Sequence, residues 1–365
     1  MKAIISGGGT GGHIFPALAI ANAIKERYPK SDILFIGAIG KMEMEKVPAA
    51  GYPIEGLPIV GLQRKLTLKN LALPFKLIKS QLKAKKLIKN FCPDIVIGVG
   101  GYASAPTLKM ATKLGYPTIL QEQNSYPGLT NKMLAQKATK ICVAYDGLEK
   151  FFPKEKIIFT GNPVRKNIED INTSVVESFE FFELDNTKQT VLSVGGSLGA
   201  RTINEALHAN INFFVENDIQ LVWQTGKSYY KTAVDAVANA NATKNIKVFE
   251  FISAMDKAYT VANCIISRAG AIAISELCLV GKPAILIPSP NVSEDHQTKN
   301  AMALVNKGAA LIVPDKDANT MLVSTLDSLL NNEEKKRAIS NACSNMGVRD
   351  AANKIVDEIE RIINK

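Results

Sequence analysis

The chain has 365 residues, 46% of them hydrophobic and 21% charged, so it is long enough for two domains with ordinary cores and is not a disordered chain. Its five cysteines are widely spaced and include no CxxC pair, which indicates neither a disulfide framework nor a zinc site and favours a reducing cytoplasm. No apolar run reaches the roughly 18 to 20 residues of a membrane-spanning helix, and the N-terminus leads directly into a strand pattern without room for a signal peptide, so we expect a soluble protein.

The first predicted elements are a strand, a glycine turn and a helix. Residues 3–5 are apolar, the turn SGGGTGG follows, and apolar side chains then recur at helical spacing as far as Ile24. Glycines let the backbone approach an oxyanion and the start of a helix offers unpaired N–H groups, so this order is typical of a phosphate-binding turn. His13 stands at the start of the helix as a titratable group. The alternative is a packing turn with a histidine that caps the helix.

Two nucleotide-binding classes are disfavoured by the surroundings of this turn. The turn satisfies GxGxxG, but the second predicted strand, residues 32–36, runs into Gly37 without the acidic residue that a nicotinamide dinucleotide needs. No GK[ST] follows the glycines, so the turn is not a Walker loop.

The net charge of +10 is concentrated between Gly56 and Pro93, where no acidic residue occurs. The basic residues of this segment are Arg64, Lys65, Lys69, Lys76, Lys79, Lys83, Lys85, Lys86 and Lys89.

A helix is predicted over residues 73–91 of that segment. Its core-facing side chains are Leu77, Ala84, Leu87, Ile88 and Phe91. On the opposite face lysines alternate with apolar side chains, and the residues that we expect to face a membrane are Phe75, Ile78, Lys79, Leu82 and Lys86. Exposed apolar groups flanked by lysines, without carboxylates, suit an anionic membrane surface. A solvated lysine helix and a nucleic-acid surface are the alternatives, and the scarcity of arginine and aromatic residues argues against nucleic acid.

The rest of the first half predicts a parallel, doubly wound sheet, because strands alternate with helices. The further strands are predicted at residues 95–99, 117–120, 140–144 and 156–159. Polar or glycine-rich sequences follow two of them, and their residues are Gly100, Gly101, Tyr102, Ser104, Glu122, Gln123 and Asn124. Ligands of open parallel sheets bind at the carboxyl ends of strands. The half closes on GNPVR, in which Arg165 is the only charged residue.

The pattern restarts after a polar, acidic linker at residues 166–190. TVLSVGGSLGA repeats the strand and the glycine turn, with Ser197 in the turn, so we expect a second phosphate-sized turn in a second domain. Glu276 lies in an apolar helix, residues 271–280, as either a surface carboxylate or an acceptor for two ribose hydroxyls, and the neighbouring glycine turn favours the second. His296 and Gln297 begin a later helix and suit sugar hydroxyls and an acetamido group, or simply start that helix.

Seven motifs in this order resemble the MurG family of bacterial glycosyltransferases. They are GGGTGGHIFPALAIA, GGYASAP, EQNSYPGLTNK, GNPVR, GGSLGA, SRAGA with Glu276, and DHQTKNA. Any one glycine turn is weak evidence, whereas seven ordered segments across nearly the whole chain are specific. The resemblance implies an α/β GT-B fold, in which two Rossmann-like domains with doubly wound parallel sheets face a central cleft. It implies an N-terminal acceptor and membrane-facing domain at residues 1–163, a UDP-sugar-binding domain at 164–345, and a final helix at 346–365 that crosses back to the first domain.

The resemblance also implies where the two substrates bind. In the second domain Ile252 would contact the uracil through its backbone, Glu276 the ribose and Ser197 the diphosphate. The other implied donor-binding residues are Arg165 and Gln297, with Thr10, Gly11, Gly12 and Asn124 from the first domain. The implied acceptor-binding residues are Gly101, Tyr102, Ser104 and Glu122, together with the first glycine turn. The chain departs from the family at Gln121, where some members have histidine, and at His296, where some have glutamine.

The reaction implied is a single displacement with inversion. The acceptor hydroxyl attacks the anomeric carbon and UDP leaves, so a base is needed on one side and charge stabilisation on the other. We expect His13 to be the general base, because imidazole changes protonation near neutral pH. No DxD pair or His/Asp cluster offers itself to a metal, so we expect neither metal nor cofactor, and helix dipoles and backbone N–H groups would hold the diphosphate.

The expected partners are UDP-N-acetylglucosamine, an undecaprenyl-diphosphate-linked muramyl pentapeptide and an anionic membrane surface, without nucleic acid. We expect a peripheral location on the cytoplasmic face of the inner membrane. Two rival functions stay open. A UDP-sugar epimerase shares the architecture but leaves the lysine-rich helix face unexplained. A non-catalytic membrane-recruiting subunit would keep that face but usually only half of the architecture.

Overall fold

A computed structural model of the chain describes residues 1–59, 73–196 and 198–364. They form two compact units. The first unit comprises Met1–Arg165 together with the chain from Asp350 onward, and the second comprises Lys166–Arg349. Each unit is built on a parallel sheet flanked by helices, so the predicted α/β class with two doubly wound sheets is confirmed.

The first unit contains a seven-stranded parallel sheet within the described residues. Its strands are β1 (Lys2–Ser6), β2 (Asp32–Ala38), β3 (Ile54–Leu57), β4 (Ile95–Gly98), β5 (Thr118–Glu122), β6 (Lys140–Val143) and β7 (Ile157–Phe159), in the order β3-β2-β1-β4-β5-β6-β7. Its first helices are α1 (Gly11–Arg27), α2 (Glu43–Ala49), α3 (Leu73–Phe91), α4 (Ser104–Lys113) and α5 (Leu129–Leu134).

Strand β1 lies in the interior of this sheet, between β2 and β4. Ile4 is level with Leu34 of β2 on one side and with Val96 of β4 on the other, and successive side chains of β1 enter opposite core layers. Because Ser6 is level with Gly98, β1 and β4 end side by side. The two turns that follow them are therefore neighbours at the carboxyl edge of the sheet.

Helix α3 has the predicted bounds and a predominantly basic outer face. Ser80, Ala84 and Ile88 are fully buried at helical spacing and form its packed stripe. Leu77, expected on that stripe, is 39% exposed, and Ser80 takes the buried position one turn further on. Lys83 bonds the Gly56 carbonyl at 2.9 Å and is thereby held against the sheet edge. Among the described helices, none combines the length and the hydropathy needed to cross a bilayer.

The second unit contains a six-stranded parallel sheet within the described residues. Its strands are β8 (Thr190–Val194), β9 (Gln220–Gln224), β10 (Ile246–Phe249), β11 (Cys264–Ser267), β12 (Ala284–Leu286) and β13 (Leu311–Ile312), in the order β10-β9-β8-β11-β12-β13. Its helices are α6 (Lys166–Glu169), α7 (Val175–Phe181), α8 (Arg201–His208), α9 (Ile211–Glu216), α10 (Lys227–Asn239), α11 (Met255–Val261), α12 (Ala271–Val280), α13 (His296–Val305), α14 (Ala318–Leu330) and α15 (Glu333–Ser344). Val194 is level with Gln224 and Ser267, so the turns after β8, β9 and β11 meet at one edge.

The last helix, α16 (Ala351–Ile363), packs in the first unit. Ile355 and Ile359 are fully buried in the same core cluster as α1. An ion pair of 2.5 Å between Arg27 and Asp357 borders that contact. The described chain thus ends in two helices, α15 in the second unit and α16 in the first, and the turn between them includes Asp350, which has a φ of 58°.

Candidate active site

The turn after β1 presents backbone N–H groups at the start of α1. Thr10 is the N-cap residue, but its side chain does not cap the helix, and its Oγ1 lies 3.2 Å from His13 Nδ1 instead. Within the described chain the N–H groups of Gly11 and Gly12 have no protein acceptor. These groups, at the positive end of the helix dipole, suit the oxygens of a diphosphate.

His13 is held where the turns after β1 and β4 meet. Its Nδ1 lies 3.2 Å from the Gly8 carbonyl oxygen, and a methyl group on Gly100 would come within 2.9 Å of its ring. Gly101 has a φ of 82°, and a Cβ there would lie 2.3 Å from the same Gly8 oxygen, so only glycine fits. The two turns approach so closely that the half-buried imidazole occupies their junction.

The predicted acceptor-binding residues after β4 differ in their access to a ligand. Tyr102 is exposed and Gly101 is half-buried, so both can be reached. Ser104 is fully buried at the start of α4, and its Oγ has no hydrogen-bond partner among the described residues. Burial excludes direct contact of Ser104 with a ligand in this structure, and we assign it a supporting place beneath the turn.

Glu122 is the last residue of β5 and is also buried, which corrects its predicted place just past the strand. Its Oε1 accepts from the Asn124 backbone N–H and side chain at 3.0 and 3.1 Å. Its Oε2 accepts from the Gly128 N–H at 3.2 Å and from Asn131 at 2.8 Å. Burial raises the pKa of the Glu122 carboxyl, and the hydrogen bonds from Asn124, Asn131 and Gly128 oppose that rise. Three donors from the following loop and one from α5 fill both oxygens, so we propose that Glu122 shapes this loop rather than touching the acceptor.

A buried amide network lies beneath this loop, and sequence reasoning did not find it. Gln123 Nε2 donates to the Val99 carbonyl at 2.8 Å, and Asn162 of GNPVR donates to the Gln123 carbonyl at 3.0 Å. Gln121 donates to Asn162 at 3.0 Å and is fully buried. The family departure at Gln121 is therefore a change inside the fold and not in a surface that contacts sugar.

The second glycine turn is tied to β9 and β10 by one buried amide. Gln224 Nε2 donates to the Gly196 carbonyl at 3.1 Å, and its Oε1 accepts from the Ile252 N–H at 2.9 Å. This side chain joins the turn after β8 to the loop that carries Ile252. Ser197, the predicted diphosphate ligand, lies outside the described residues.

Glu276 points into the second unit from the middle of α12. It is almost wholly buried, and the Tyr259 hydroxyl donates to its Oε2 at 2.9 Å. A surface carboxylate would be exposed, so the surface alternative for Glu276 is wrong. The hydrogen bond from Tyr259 fixes the orientation of the Glu276 carboxylate. A carboxylate that accepts hydrogen bonds from two ribose hydroxyls needs such a fixed orientation.

The remaining predicted donor residues described below lie in three separate parts of the chain. Gln297 at the start of α13 is half-buried, and its Oε1 accepts from the Ser289 N–H at 2.8 Å. Arg165 is half-buried at the end of the first unit's first segment. Asn124 is half-buried beside Glu122. Across the described chain no group of three or more His, Cys, Asp or Glu residues is placed to hold a metal ion.

The predicted membrane-facing side chains lie on one exposed surface of α3. Phe75 is 76% exposed and Leu82 63%, with Ile78, Lys79 and Lys86 also exposed. We call these five residues the α3 face. Arg64, Lys65 and Lys69 of the basic segment lie outside the described residues.

Sequence reasoning missed Glu43, Gln224 and Tyr259. Gln224 is the last residue of β9, and a polar side chain at the carboxyl end of a parallel strand is a usable signal for a site residue. Tyr259 and Glu43 lie in the seven-residue helices α11 and α2 and are brought to their partners only by tertiary packing.

The chain matches two models of one enzyme family. Residues 3–143 match the glycosyltransferase family 28 N-terminal domain, and residues 190–355 match its C-terminal domain. A relative from Phocaeicola vulgatus is 54% identical over 365 residues, 100% of this chain and 97% of its own, and is named UDP-N-acetylglucosamine–N-acetylmuramyl-(pentapeptide) pyrophosphoryl-undecaprenol N-acetylglucosamine transferase.

Solved structures agree on the fold. The crystal structure of Acinetobacter baumannii MurG superposes with a TM-score of 0.79 at 29% identity and covers 99% of both chains. The UDP-GlcNAc 2-epimerase from Neisseria meningitidis bound to UDP-GlcNAc has a TM-score of 0.68 at 14% identity, covering 99% of this chain and 100% of its own, which shows a shared fold alone. With both family 28 domains present and a full-length relative at 54% identity, the chain belongs to the MurG family of glycosyltransferases.

Proposed function

We propose that this chain transfers N-acetylglucosamine from UDP-N-acetylglucosamine to the lipid-linked N-acetylmuramyl pentapeptide, which converts lipid I to lipid II in peptidoglycan synthesis. The observation that carries the proposal is the 54% identity along the whole chain to a relative named for this transfer. The epimerase shares only the fold at 14% identity, and its reaction has no use for an acceptor.

We assign the donor to the second unit. Glu276 accepts hydrogen bonds from the ribose hydroxyls, because its carboxylate is acceptor-only and is already oriented by Tyr259. The backbone of Ile252 binds the uracil. Because the Ile252 N–H already bonds to Gln224, its carbonyl is the group that remains for the base. Gln297 is assigned to the sugar, and the glycine turn with Ser197 to the diphosphate.

We assign the acceptor to the first unit. The N–H groups of Gly11 and Gly12, which have no acceptor among the described residues, meet the acceptor's diphosphate and the transferred sugar, and the exposed Tyr102 lies on the adjacent turn. Thr10 and Asn124 complete the first unit's contacts to the sugar nucleotide. Glu122 and Ser104 support these turns from below, because both are buried.

The reaction proposed is one displacement at the anomeric carbon. His13 takes the proton from the acceptor hydroxyl while its oxygen forms the new glycosidic bond and the bond to UDP breaks. The negative charge that develops on UDP is met by backbone N–H groups of the second glycine turn. A single displacement inverts the anomeric configuration, so the product is β-linked.

The α3 face is assigned to an anionic membrane, where the acceptor lipid resides. Its apolar side chains insert and its lysines pair with lipid phosphates, an arrangement that needs no spanning helix.

Replacing Phe75 and Leu82 with serine is expected to weaken binding to anionic liposomes by roughly 30-fold, because burying two exposed apolar side chains contributes about 2 kcal/mol. Flotation with phosphatidylglycerol vesicles measures the effect. The matched control replaces Val175 and Val176, two exposed residues of α7 in the second unit, with serine and should bind like the parent protein. Unchanged flotation of the Phe75 and Leu82 variant would remove the α3 face from the proposal.

The function is tested by incubating the protein with radiolabelled UDP-N-acetylglucosamine and a lipid-linked muramyl pentapeptide, with and without a chelator. We expect label in the lipid fraction, one UDP released per sugar transferred, a β-linkage by NMR, and no effect of the chelator. Conversion of the donor to its 2-epimer without label in the lipid would instead establish the epimerase.

A further inference from the structure

Glu43 is a buried carboxylate that the reaction described above does not use. It begins α2 and is only 1% exposed. Its Oε1 accepts from the Ala38 N–H at 3.0 Å, and its Oε2 accepts from the Gly9 N–H at 2.8 Å. No cation pairs with it within the described part of the chain. A buried charge held only by two neutral donors is costly, so packing alone does not explain its presence.

The turn after β1 is shaped to admit this carboxylate. Gly8 has a φ of 146°, and a Cβ there would lie 2.3 Å from Glu43 Oε1. A Cβ on Gly37 would lie 2.5 Å from Glu43 Cγ. Two glycines from different elements therefore leave the space that Glu43 fills.

The peptide group that Glu43 contacts also contacts His13. The N–H of Gly9 and the carbonyl of Gly8 belong to one peptide unit, and that carbonyl lies 3.2 Å from His13 Nδ1. A carboxylate on the N–H side of a peptide strengthens its carbonyl as an acceptor, because successive hydrogen bonds polarise one another. The atoms are thus arranged as carboxylate, peptide and imidazole in series.

Two oxygens lie 3.2 Å from His13 Nδ1, the Gly8 carbonyl and the Thr10 hydroxyl. The carbonyl only accepts, whereas the hydroxyl can donate or accept, so a proton on Nδ1 is the arrangement that lets both oxygens bond to this nitrogen. Nε2 is then the unprotonated nitrogen that can take a proton from a substrate. When Nε2 gains that proton the ring becomes a cation, and its Nδ1–H still donates to a carbonyl polarised by Glu43.

We propose that Glu43 is a positioning residue for His13, acting through the peptide between Gly8 and Gly9. This Glu43–peptide–His13 bridge favours the Nδ1–H tautomer, in which Nε2 carries no proton, and stabilises the imidazolium during transfer. The bridge rests on the proposed role of His13 as base, but its geometry can be tested without turnover.

The informative substitution is Glu43→Gln, which keeps the size and removes the charge. An amide has one acceptor oxygen for two N–H donors. The Ala38 bond is the more buried of the two, so the amide oxygen stays there and the Gly9 N–H loses its acceptor. We expect the kcat of Glu43→Gln to fall about 10- to 100-fold, because removal of a group that orients a histidine typically has an effect of this size. The KM values for both substrates should stay within about twofold of the parent protein. The matched control is Glu45→Gln, two residues further along α2 at an exposed site, which should behave like the parent protein.

Two-bond 1H–15N correlation spectra of the neutral imidazoles measure directly which tautomer His13 adopts. The chain has only three histidines, and a His13→Gln variant assigns the signal. We expect the Nδ1–H tautomer for His13 in the parent protein and in Glu45→Gln, and a larger Nε2–H fraction in Glu43→Gln.

An Nε2–H tautomer in the parent protein would overturn the bridge, and this reading holds even where thermal melting shows that Glu43→Gln fails to fold. A folded Glu43→Gln variant with unchanged tautomer and unchanged kcat would overturn it as well. If His13 has the Nδ1–H tautomer but the protein transfers no sugar, the proposed function is refuted and the Glu43–peptide–His13 bridge is not.

Discussion

His13→Ala is expected to lower kcat by about 10²- to 10⁴-fold, the range that a general base contributes. The imidazole is the titratable side chain at the junction of the turns after β1 and β4, and the alanine variant leaves no group there to accept the proton of the acceptor hydroxyl. UDP binding should change by less than about twofold, because we place the nucleotide in the second unit.

Single-turnover kinetics with saturating acceptor separates this loss from product release. His208→Gln is the control, because His208 bonds Tyr229 in the second unit and has no place in the proposed reaction. Turnover of His13→Ala within a few-fold of the parent would rule out His13 as the base.

Glu276→Gln is expected to weaken UDP binding by about 100-fold. A hydrogen bond to a charged group contributes roughly 1.5 to 3 kcal/mol, and the amide keeps only one acceptor for the two ribose hydroxyls and the Tyr259 hydroxyl. Glu276 is 6% exposed, whereas Ser104 and Glu122 are 0% and 1% exposed, and we propose that this exposed part of Glu276 meets the ribose.

Calorimetric titration with UDP and 2′-deoxy-UDP sharpens this test. The parent protein should lose affinity when the 2′-hydroxyl is removed, whereas Glu276→Gln should lose little further, since the partner of that hydroxyl is already gone. Equal losses on deoxygenation in both proteins would show that Glu276 does not contact the ribose.

The sequence was sufficient for the repeated elements. Strand, glycine turn and helix could be predicted twice because each has a local signal: a short apolar run, glycines, then helical periodicity. For the same reason the bounds Leu73–Phe91 and Ala271–Val280 were predicted correctly.

Burial of polar side chains could not be predicted in the same way. Glu43 lies in the charged sequence KMEMEK, which predicts a surface residue. Its helix, α2, has only seven residues and contains a proline, so it gives no helical periodicity that would predict a buried face. Its burial depends on space left by Gly8 and Gly37, which lie on other elements. The family resemblance implied that Ser104 and Glu122 bind the acceptor, and their sequence position near strand ends agreed with that, but the sequence does not show the direction of their side chains.

The division of substrates between the two glycine turns is the central claim, and Gly12→Ala tests it most directly. The added methyl would meet only Thr10 Oγ1, at 3.7 Å, so the protein tolerates it and the substitution reports on the ligand. Steady-state kinetics for the lipid acceptor, paired with calorimetry for UDP, should show the acceptor KM raised about tenfold or more and UDP affinity within about twofold of the parent. An equal loss for both substrates would contradict the division.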